Sequence, residues 1–264
     1  MNATSTSSNT SSNTFESGAP RTAAPSPDAP HVVIMGGTSG IGLATAQRLY
    51  ANGMGVTVTG RDAKRAEAAR GAIGGHAKAI ALDASDIEAV RHSLASLGRI
   101  DHLVLALGGG KGYGMFRELA INDVLEGFTS KTLPHLACAQ AALGTLSERG
   151  SITFVTAVSA QMASPGTAGL AAVNGALSCA VPALAVELGP MRVNAVSPGV
   201  VDTPWWDALP ADQREAALAS YAAKATVGRV GAPDDIAKTI AFLIDNTFMT
   251  GQTVICDGGL SLLS

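Results

Sequence analysis

The sequence is poor in charge and in cysteine. Charged residues make up 15% of its 264 residues, and its formal net charge is -3. So few charged residues, with a small excess of acidic ones, argue against a nucleic-acid-binding surface. The three cysteines, Cys138, Cys179 and Cys256, have neither disulfide nor metal-ligand spacing, so we expect small apolar core residues in a reducing, cytoplasmic setting and no metal site. No uninterrupted apolar run reaches the roughly 18 residues of a membrane span.

Residues 1–30 contain almost no large apolar side chain and consist mainly of Ser, Thr, Asn, Ala and Pro. Such a segment cannot bury enough surface to offset the entropy of ordering, which predicts a disordered tail. An interaction or targeting tail is the alternative. A basic start followed by an apolar stretch is missing, so the segment is not typical of a signal peptide. Residues 31–264 are long enough for one α/β domain.

From residue 31 onward, short β-branched runs alternate with longer helical patterns. This alternation predicts βαβ units, and hence a parallel sheet covered by helices on both faces. Right-handed crossovers would make the sheet doubly wound, with ligands at the carboxyl edge where the strand order reverses. The predicted strands are 31–35, 55–60, 77–83, 101–107, 150–156, 191–197 and 251–257.

The first strand runs directly into "MGGTSGIG", which places Gly36, Gly40 and Gly42 at the start of a helix. Glycines permit a tight turn and a close approach of the backbone to a pyrophosphate. The helix N-terminus adds free N–H groups and a partial positive charge. A tight turn without a ligand is the alternative, but a strand before and a helix after favour a nucleotide site.

The second strand ends in "TGRD", where an NAD-selective enzyme usually places a carboxylate against the adenosine ribose. Here Arg61 comes first, and Asp62 follows as a natural helix N-cap. A guanidinium suits a 2′-phosphate because it forms bidentate, charge-assisted hydrogen bonds. The pattern therefore predicts NADP(H) rather than NAD(H), with an ordinary exposed loop arginine as the alternative.

Together with "RVNAVSPGVVDT" at 192–203, "RVGAPDDIA" at 229–237 and "TGQTVICDGG" at 250–259, these motifs resemble the short-chain dehydrogenase/reductase family. The resemblance covers residues 31–262 and implies a single Rossmann-type sheet of about seven parallel strands, flanked by helices on both faces. It also implies cofactor-binding residues. Those expected at the phosphates and adenine are Gly36, Thr38, Ser39, Gly40, Ile41, Asp83 and Ala84. Those expected near the nicotinamide riboside are Leu107, Gly108, Asn174, Pro198, Gly199, Val201 and Thr203.

The resemblance breaks at the family's four catalytic positions. The serine that orients the substrate is Ala157, the tyrosine acid is Leu170, the lysine is Asn174 and the helical asparagine is Lys131. Leu170 cannot donate a proton at any pH. Asn174 can bind a ribose hydroxyl but has no charge with which to lower the pKa of a phenol. The family's usual mechanism is therefore not expected here.

Three other residues are candidates for the missing acid. Lys111 and Tyr113 belong to the glycine-rich segment 108–116, directly after the fourth strand, and Lys131 lies on a helix predicted at 118–147. A partly buried lysine has a lowered pKa and can donate a proton or bind a carboxylate. The alternatives are a solvated loop for the first pair and a snorkelling stem for Lys131. His135 is expected on the helix surface.

By resemblance, residues 202–228 form a lid over the substrate. Trp205 and Trp206 suggest an apolar or aromatic substrate wall, with plain lid packing as the alternative. Apolar faces at 118–147 and 168–188 predict a homotetramer, or else a homodimer.

Three functions stay open. The first is an NADP(H)-dependent oxidoreductase acting on a carbonyl, imine or activated alkene. The second is a catalytically silent NADP(H)-binding protein, a sensor or a subunit partner. The third is a non-redox enzyme on the same scaffold.

Overall fold

The computed structural model of this chain describes residues 25–26 and 28–262, so the prediction of a disordered tail lies largely outside the described residues. One sheet of seven strands forms the centre of the described part. The strands are β1 His31–Met35, β2 Gly55–Gly60, β3 Lys78–Ala81, β4 Ile100–Leu105, β5 Leu146–Val155, β6 Arg192–Pro198 and β7 Thr253–Cys256. The helices are α1 Gly40–Ala51, α2 Ala63–Ile73, α3 Ile87–Ser96, α4 Ile121–Gly127, α5 Leu133–Ala142, α6 Ala168–Glu187, α7 Ala211–Lys224 and α8 Pro233–Asp245.

All the strand pairs are parallel, in the order β3-β2-β1-β4-β5-β6-β7. The direction of winding reverses between β1 and β4, so a crevice opens at the carboxyl ends of these two strands. The predicted doubly wound α/β fold is confirmed, because successive strands are joined by crossovers that cover both faces.

The side chains of β1 alternate between the two faces and enter two hydrophobic cores. Val32 and Ile34 pack in the core beneath α1 and α8. Val33 and Met35 pack in the core beneath α3, α5 and α6. Because both faces are buried, the strand is a continuous apolar run rather than an alternating one. Because β1 is packed on both faces, the glycine turn that follows it starts at a fixed place in the fold.

The predicted helix at 118–147 is wrong as a single element. It consists of α4, a π-helical turn at Phe128–Thr132 and α5. Pro134 lies in the first turn of α5 and has no N–H to donate to a carbonyl of the preceding turn, so a regular helical ladder cannot run through this point. Such π-turns inside helices are frequent at functional sites. This one carries Lys131.

Two expectations from composition need correction. Cys138 is buried as predicted, but Cys179 is exposed on the outer face of α6 and Cys256 is only partly buried. Helix α6 is also long and apolar enough to cross a membrane, since an 18-residue window within its 20 residues has a mean hydropathy of 1.7. Asn174 and Ser178 interrupt its apolar run. Its Leu177 and Val181 are core residues of the domain, and a packed helix of this kind satisfies the same criteria.

Candidate functional site

The glycine turn after β1 leaves no room for side chains. Gly36 and Gly40 have φ angles of +81° and +52°. A Cβ atom built on Gly36 would lie 2.5 Å from the carbonyl oxygen of Ala106, and one on Gly42 would overlap the carbonyl oxygen of Gly36. The turn is thus pressed against the end of β4 and against the first turn of α1. Only glycine fits at these points.

The N-terminus of α1 is open toward the crevice. Its N-cap, Ser39, makes no side-chain capping bond, and the first turn contains no acidic residue. Gly40 and Ile41 therefore begin a helix whose first N–H groups are not satisfied by a side chain of the cap. Such a terminus, bordered by glycines, has the donor set that a phosphate requires. The residues present fit the pyrophosphate of a dinucleotide.

Thr203 comes from the far end of the chain to border this turn. A Cβ atom on Gly40 would lie 3.3 Å from its side chain. Its hydroxyl oxygen accepts a bond from the backbone N–H of Trp205 at 3.4 Å and caps the short 3-10 turn Pro204–Ala208. Pro198 ends β6, and the N–H of Gly199 donates to Cys256 at 3.1 Å. The residues predicted around the nicotinamide thus lie at the carboxyl end of β6, and the segment that begins at Val201 leads back to the crevice.

The residues predicted for the adenosine end lie at the carboxyl ends of β2 and β3. Asp83 accepts hydrogen bonds from the N–H and hydroxyl of Ser85, at 2.9 and 2.8 Å, and these bonds lower its pKa. The nearby guanidinium of Arg61 lowers the pKa further, although it contributes less. Arg61 is exposed, and Asp62 caps α2 as predicted, accepting from the N–H of Arg65 at 2.8 Å. A cation therefore lies at the edge of the crevice, next to the residues predicted to contact the adenine.

The remaining predicted cofactor contacts are distributed around the same crevice. Thr38 lies against Gly60, because a Cβ atom on Gly60 would come within 2.5 Å of its side chain. Ala84 is partly buried against the core of the α3 face. Leu107 lies beside Gly36. Gly108 is exposed, and a Cβ atom built on it would have no other atom within 4 Å.

Lys131 is buried in the π-helical turn, with 9% of its surface exposed. Its Nζ donates to the carbonyl oxygen of Thr156 at 3.2 Å, directly before Ala157. Burial lowers the pKa of this ammonium to about 8. Among the described residues, no carboxylate forms an ion pair with it. The side chain is therefore an uncompensated cation under the end of β5.

Asn174 is buried on α6, next to this turn. Its amide nitrogen donates to the carbonyl oxygen of Leu170 at 2.9 Å and to the hydroxyl of Ser159 at 3.3 Å. Its amide oxygen is buried and has no hydrogen-bond partner among the described residues. A bond of 2.8 Å from the hydroxyl of Thr132 to the carbonyl of Val173 joins the two elements. The resemblance would place an asparagine at 131 and a lysine at 174, so this chain has each of the two residue types on the other element.

Lys111 and Tyr113 do not join Lys131. The ammonium of Lys111 pairs with Asp123 at 3.4 Å and with Glu126 at 3.8 Å, on the outer side of α4. Tyr113 is 63% exposed. Its ring packs against Gly166, before α6, and it lies near Tyr221 of α7, whose pKa is raised mainly by burial and to a lesser degree by Tyr113. The three predicted candidates therefore face three different environments.

Three glycines bring the loop at 108–116 against two helices. A Cβ atom on Gly169 would overlap the carbonyl oxygen of Gly112, and one on Gly127 would lie 3.0 Å from the carbonyl oxygen of Lys111. The N–H of Gly114 also donates to Gly166 at 2.9 Å. The loop backbone thus packs on the first turn of α6, beside Leu170. It is anchored there rather than free in solvent.

The predicted lid contains an aromatic cluster. Trp205 and Trp206 meet edge to face with ring centroids 4.8 Å apart, and Trp206 lies 6.1 Å from Tyr221. The indole nitrogen of Trp205 donates to the carbonyl oxygen of Gly109 at 3.3 Å. This bond ties the lid to the glycine-rich loop. Because Trp205 remains 48% exposed, it offers an apolar surface at the mouth of the crevice.

Two residues of this region differ from expectation or were missed. His135 is fully buried, not on the helix surface, and its ring nitrogens lie 2.8 Å from the carbonyl oxygen of Lys131 and 3.1 Å from that of Leu105. Burial lowers its pKa to about 3. Ser159, the partner of Asn174, has no motif around it, so only its position two residues after Ala157 could have drawn attention to it.

The comparisons with known proteins agree with this architecture. Residues 36–261 match the sequence model of the family described as enoyl-(acyl carrier protein) reductase. A short-chain reductase protein, NovJ, of Streptomyces niveus is 33% identical over 249 residues, which cover 86% of this chain and 92% of the relative. The dehydrogenase subunit BbsD of Thauera aromatica, which is named for (2S)-[(R)-hydroxy(phenyl)methyl]succinyl-CoA, is 32% identical over 244 residues. The match covers 88% of this chain and 96% of that one.

Solved structures show the same fold. A small-chain dehydrogenase in complex with NADPH superposes with a TM-score of 0.79 and 31% sequence identity, covering 89% of this chain and all of the other. A short-chain dehydrogenase/reductase from Serratia marcescens also gives a TM-score of 0.79, at 30% identity, covering 88% of this chain and 98% of the other.

Proposed function

The chain belongs to the short-chain dehydrogenase/reductase family, a family of oxidoreductases, and on that premise we propose that it is an NADP(H)-dependent oxidoreductase with a non-standard acid. The observation that carries the proposal is the open glycine turn at the N-terminus of α1, which fits a dinucleotide pyrophosphate. When bound, the reduced cofactor supplies a hydride. Its acceptor would be a small molecule with a carbonyl, an imine or an activated alkene.

The choice of NADP(H) over NAD(H) rests on Arg61. Its guanidinium lies at the carboxyl end of β2, near Asp83, and it makes no ion pair among the described residues. A free guanidinium at this point can form charge-assisted bonds to a 2′-phosphate. The NADPH bound to the similar small-chain dehydrogenase supports the same choice.

Lys131 is our first candidate for the acid. Leu170 and Ala157 have no proton to give, whereas the ammonium of Lys131 has a pKa of about 8 and can release one near neutral pH. It lies under Ala157, at the carboxyl end of β5. Tyr113 and Lys111 are the second choices. Tyr113 is largely exposed, and Lys111 pairs with carboxylates of α4. The exposed face of Trp205 favours an apolar or aromatic substrate.

The decisive experiment is a titration with NADPH and with NADH, followed by cofactor fluorescence, and then a panel of carbonyls, imines and activated alkenes. We expect NADPH to bind at least several-fold tighter than NADH, and at least one class in the panel to be turned over. Binding without any turnover would leave the silent nucleotide-binding protein. Failure to bind either cofactor would leave only a non-redox enzyme.

The silent protein is the second candidate, and Leu170 is the observation that favours it. With an aliphatic side chain at the position of the acid, the chain could serve as a sensor or as the nucleotide-binding partner of an active subunit. One of its relatives, BbsD of Thauera aromatica, is itself named as a subunit of a dehydrogenase. Co-purification with an active relative, and no turnover alone, would support this alternative.

We also propose a homotetramer, with a homodimer as second choice, in the cytoplasm. Exposed apolar side chains on α5, on α6 and near the C-terminal strand support it, since such groups are usually covered in an assembly. They include Leu133, Val186 and Phe248, which are 54%, 86% and 98% exposed. Light scattering at micromolar concentration should give four times the mass of the chain; a monomer would contradict the proposal.

A further inference from the structure

The amide of Asn174 is held in one orientation. An amide nitrogen carries two protons, and here one can go to the carbonyl oxygen of Leu170 and the other to the hydroxyl oxygen of Ser159. If the amide turned by 180°, its oxygen would face the carbonyl oxygen of Leu170 and two acceptors would meet. The contact with Leu170 therefore determines which end is nitrogen, and Ser159 fixes the plane.

This orientation leaves the amide oxygen of Asn174 buried without a donor among the described residues. Buried polar groups in native proteins are nearly always paired, so an orphaned acceptor calls for a partner that is not part of the chain. The partner must donate a hydrogen bond, since the oxygen can only accept. A hydroxyl group meets this requirement, whereas a carboxylate or a phosphate oxygen does not.

Ser159 is placed to control this acceptor. It lies on the 3-10 turn Val158–Ala160, directly after β5, and is 8% exposed. Its only hydrogen bond in the described structure is the one that it accepts from Asn174. Without that bond, the second amide proton would have no partner, and the amide could rotate about its remaining bond to Leu170.

We propose that Ser159 is a positioning residue, which holds the Asn174 amide so that its oxygen accepts a hydrogen bond from a hydroxyl group of the nicotinamide riboside. The inference rests on the proposed function and assigns a role to a residue outside the family's catalytic set. It also explains how an uncharged side chain can serve at this position. Asn174 would bind by an oriented acceptor rather than by a charge.

The test is a double-mutant cycle with Ser159→Ala, Asn174→Leu and the combined variant, in which the affinity for NADPH is measured by fluorescence. Each single change should weaken NADPH binding, by about fivefold for Ser159→Ala and about tenfold for Asn174→Leu, as expected for one neutral hydrogen bond. The combined variant should be no weaker than Asn174→Leu alone, because Ser159 acts through Asn174.

Two controls separate positioning from general damage. Binding of 2′,5′-ADP, which has no nicotinamide riboside, should stay within about twofold in every variant, as measured by calorimetry. Ser178→Ala removes a hydroxyl one turn further along α6, which accepts from Gln161 and not from Asn174. It should leave the affinity for NADPH unchanged.

The outcomes distinguish the two proposals. Unchanged NADPH affinity in Ser159→Ala, or losses that multiply in the combined variant, would overturn the role of Ser159 while NADP(H) binding itself stands. An equal loss of 2′,5′-ADP affinity would overturn it too, since the damage would then reach the adenosine end. An unaltered protein that binds neither NADPH nor 2′,5′-ADP would overturn both the inference and the proposed function.

Discussion

The phosphate side of the crevice and its catalytic side obey different constraints. On the phosphate side, the requirement falls on the backbone: at Gly36 and Gly42 a single added carbon meets a carbonyl of the chain itself. On the side predicted to be catalytic, the requirement would fall on side chains, and Ala157, Leu170, Asn174 and Lys131 stand where the resemblance places the family's catalytic residues. A site formed by closely packed backbone therefore tolerates fewer substitutions than a site formed by side chains. A fold can therefore keep a ligand and alter the chemistry beside it.

The largest effect is expected from one added carbon on the phosphate side. In Gly42→Ala the new Cβ would overlap the carbonyl oxygen of Gly36, so the turn must move. We expect the affinity for NADPH and for 2′,5′-ADP to fall about a hundredfold or more, as when several charge-assisted bonds are lost. Titration by fluorescence and calorimetry measures this.

The matched control is Gly71→Ala on α2, where no atom lies within 4 Å of the added carbon. It should leave binding unchanged and should slightly stabilise the helix. If Gly42→Ala bound NADPH as well as the control does, the backbone constraint described above would be wrong.

The next largest effect is expected at the adenosine end. Arg61→Ala should weaken NADPH binding by roughly ten- to a hundredfold, since a hydrogen bond to a charged group contributes about 1.5–3 kcal/mol. NADH has no 2′-phosphate, so its affinity should not change. Arg91→Ala, which removes an exposed arginine from α3, serves as the control. Equal affinity of the unaltered protein for the two cofactors would refute the assignment.

On the catalytic side, Lys131→Met keeps much of the stem's length and removes the charge. Turnover should fall at least about tenfold, within the usual range for general acid–base work, while NADPH affinity stays nearly constant. Unaltered turnover would exclude Lys131 as the acid and would leave Tyr113 and Lys111 as the candidates.

The pH dependence of turnover sharpens this result. The pKa of Lys131 is lowered to about 8, so the ammonium is present below that pH and is lost above it. If it is the acid, turnover in the reductive direction should decline as pH rises through about 8. Lys131→Met should abolish that decline, and a decline that survives the substitution would belong to another group.

The smallest effect is expected where the family would suggest the largest. Leu170→Tyr should not produce a good reductase, because Asn174 has no charge with which to lower the pKa of the phenol. The ring would also crowd the loop backbone that packs beside residue 170. We expect turnover to stay within about twofold of the unaltered protein. A large gain would show that only the tyrosine is missing.

The sequence predicted the features that depend on local backbone chemistry. Strand β1, the glycine turn and the Asp62 cap follow from β-branched runs, glycine spacing and an acid at a helix start, and all three are present. Several strand ends were misplaced by two residues or more: β5 starts at Leu146 rather than at 150, β3 ends at Ala81 rather than at 83, β4 ends at Leu105 rather than at 107, and β7 starts at Thr253 rather than at 251. Strand ends depend on pairing with neighbours more than on the residues themselves.

The features that sequence reasoning missed depend on contacts between distant segments. The ring nitrogens of the buried His135 lie beside the carbonyl oxygens of Lys131 and Leu105, and no local sequence pattern shows that. The bond between Ser159 and Asn174 spans 15 residues and two elements. The break in the helix around Lys131 could have been suspected from Pro134 alone.

The close backbone packing at Gly112, Gly127 and Gly169 has a consequence for how this chain can vary. Because each glycine lies against another backbone segment, these positions cannot gain side chains one at a time without displacing the loop. Homologues that keep this loop conformation should therefore keep all three glycines, and homologues with side chains at these positions should have a different loop. A search of genomes for this trio, combined with a lysine at position 131, would show whether the packed loop and the buried lysine occur together.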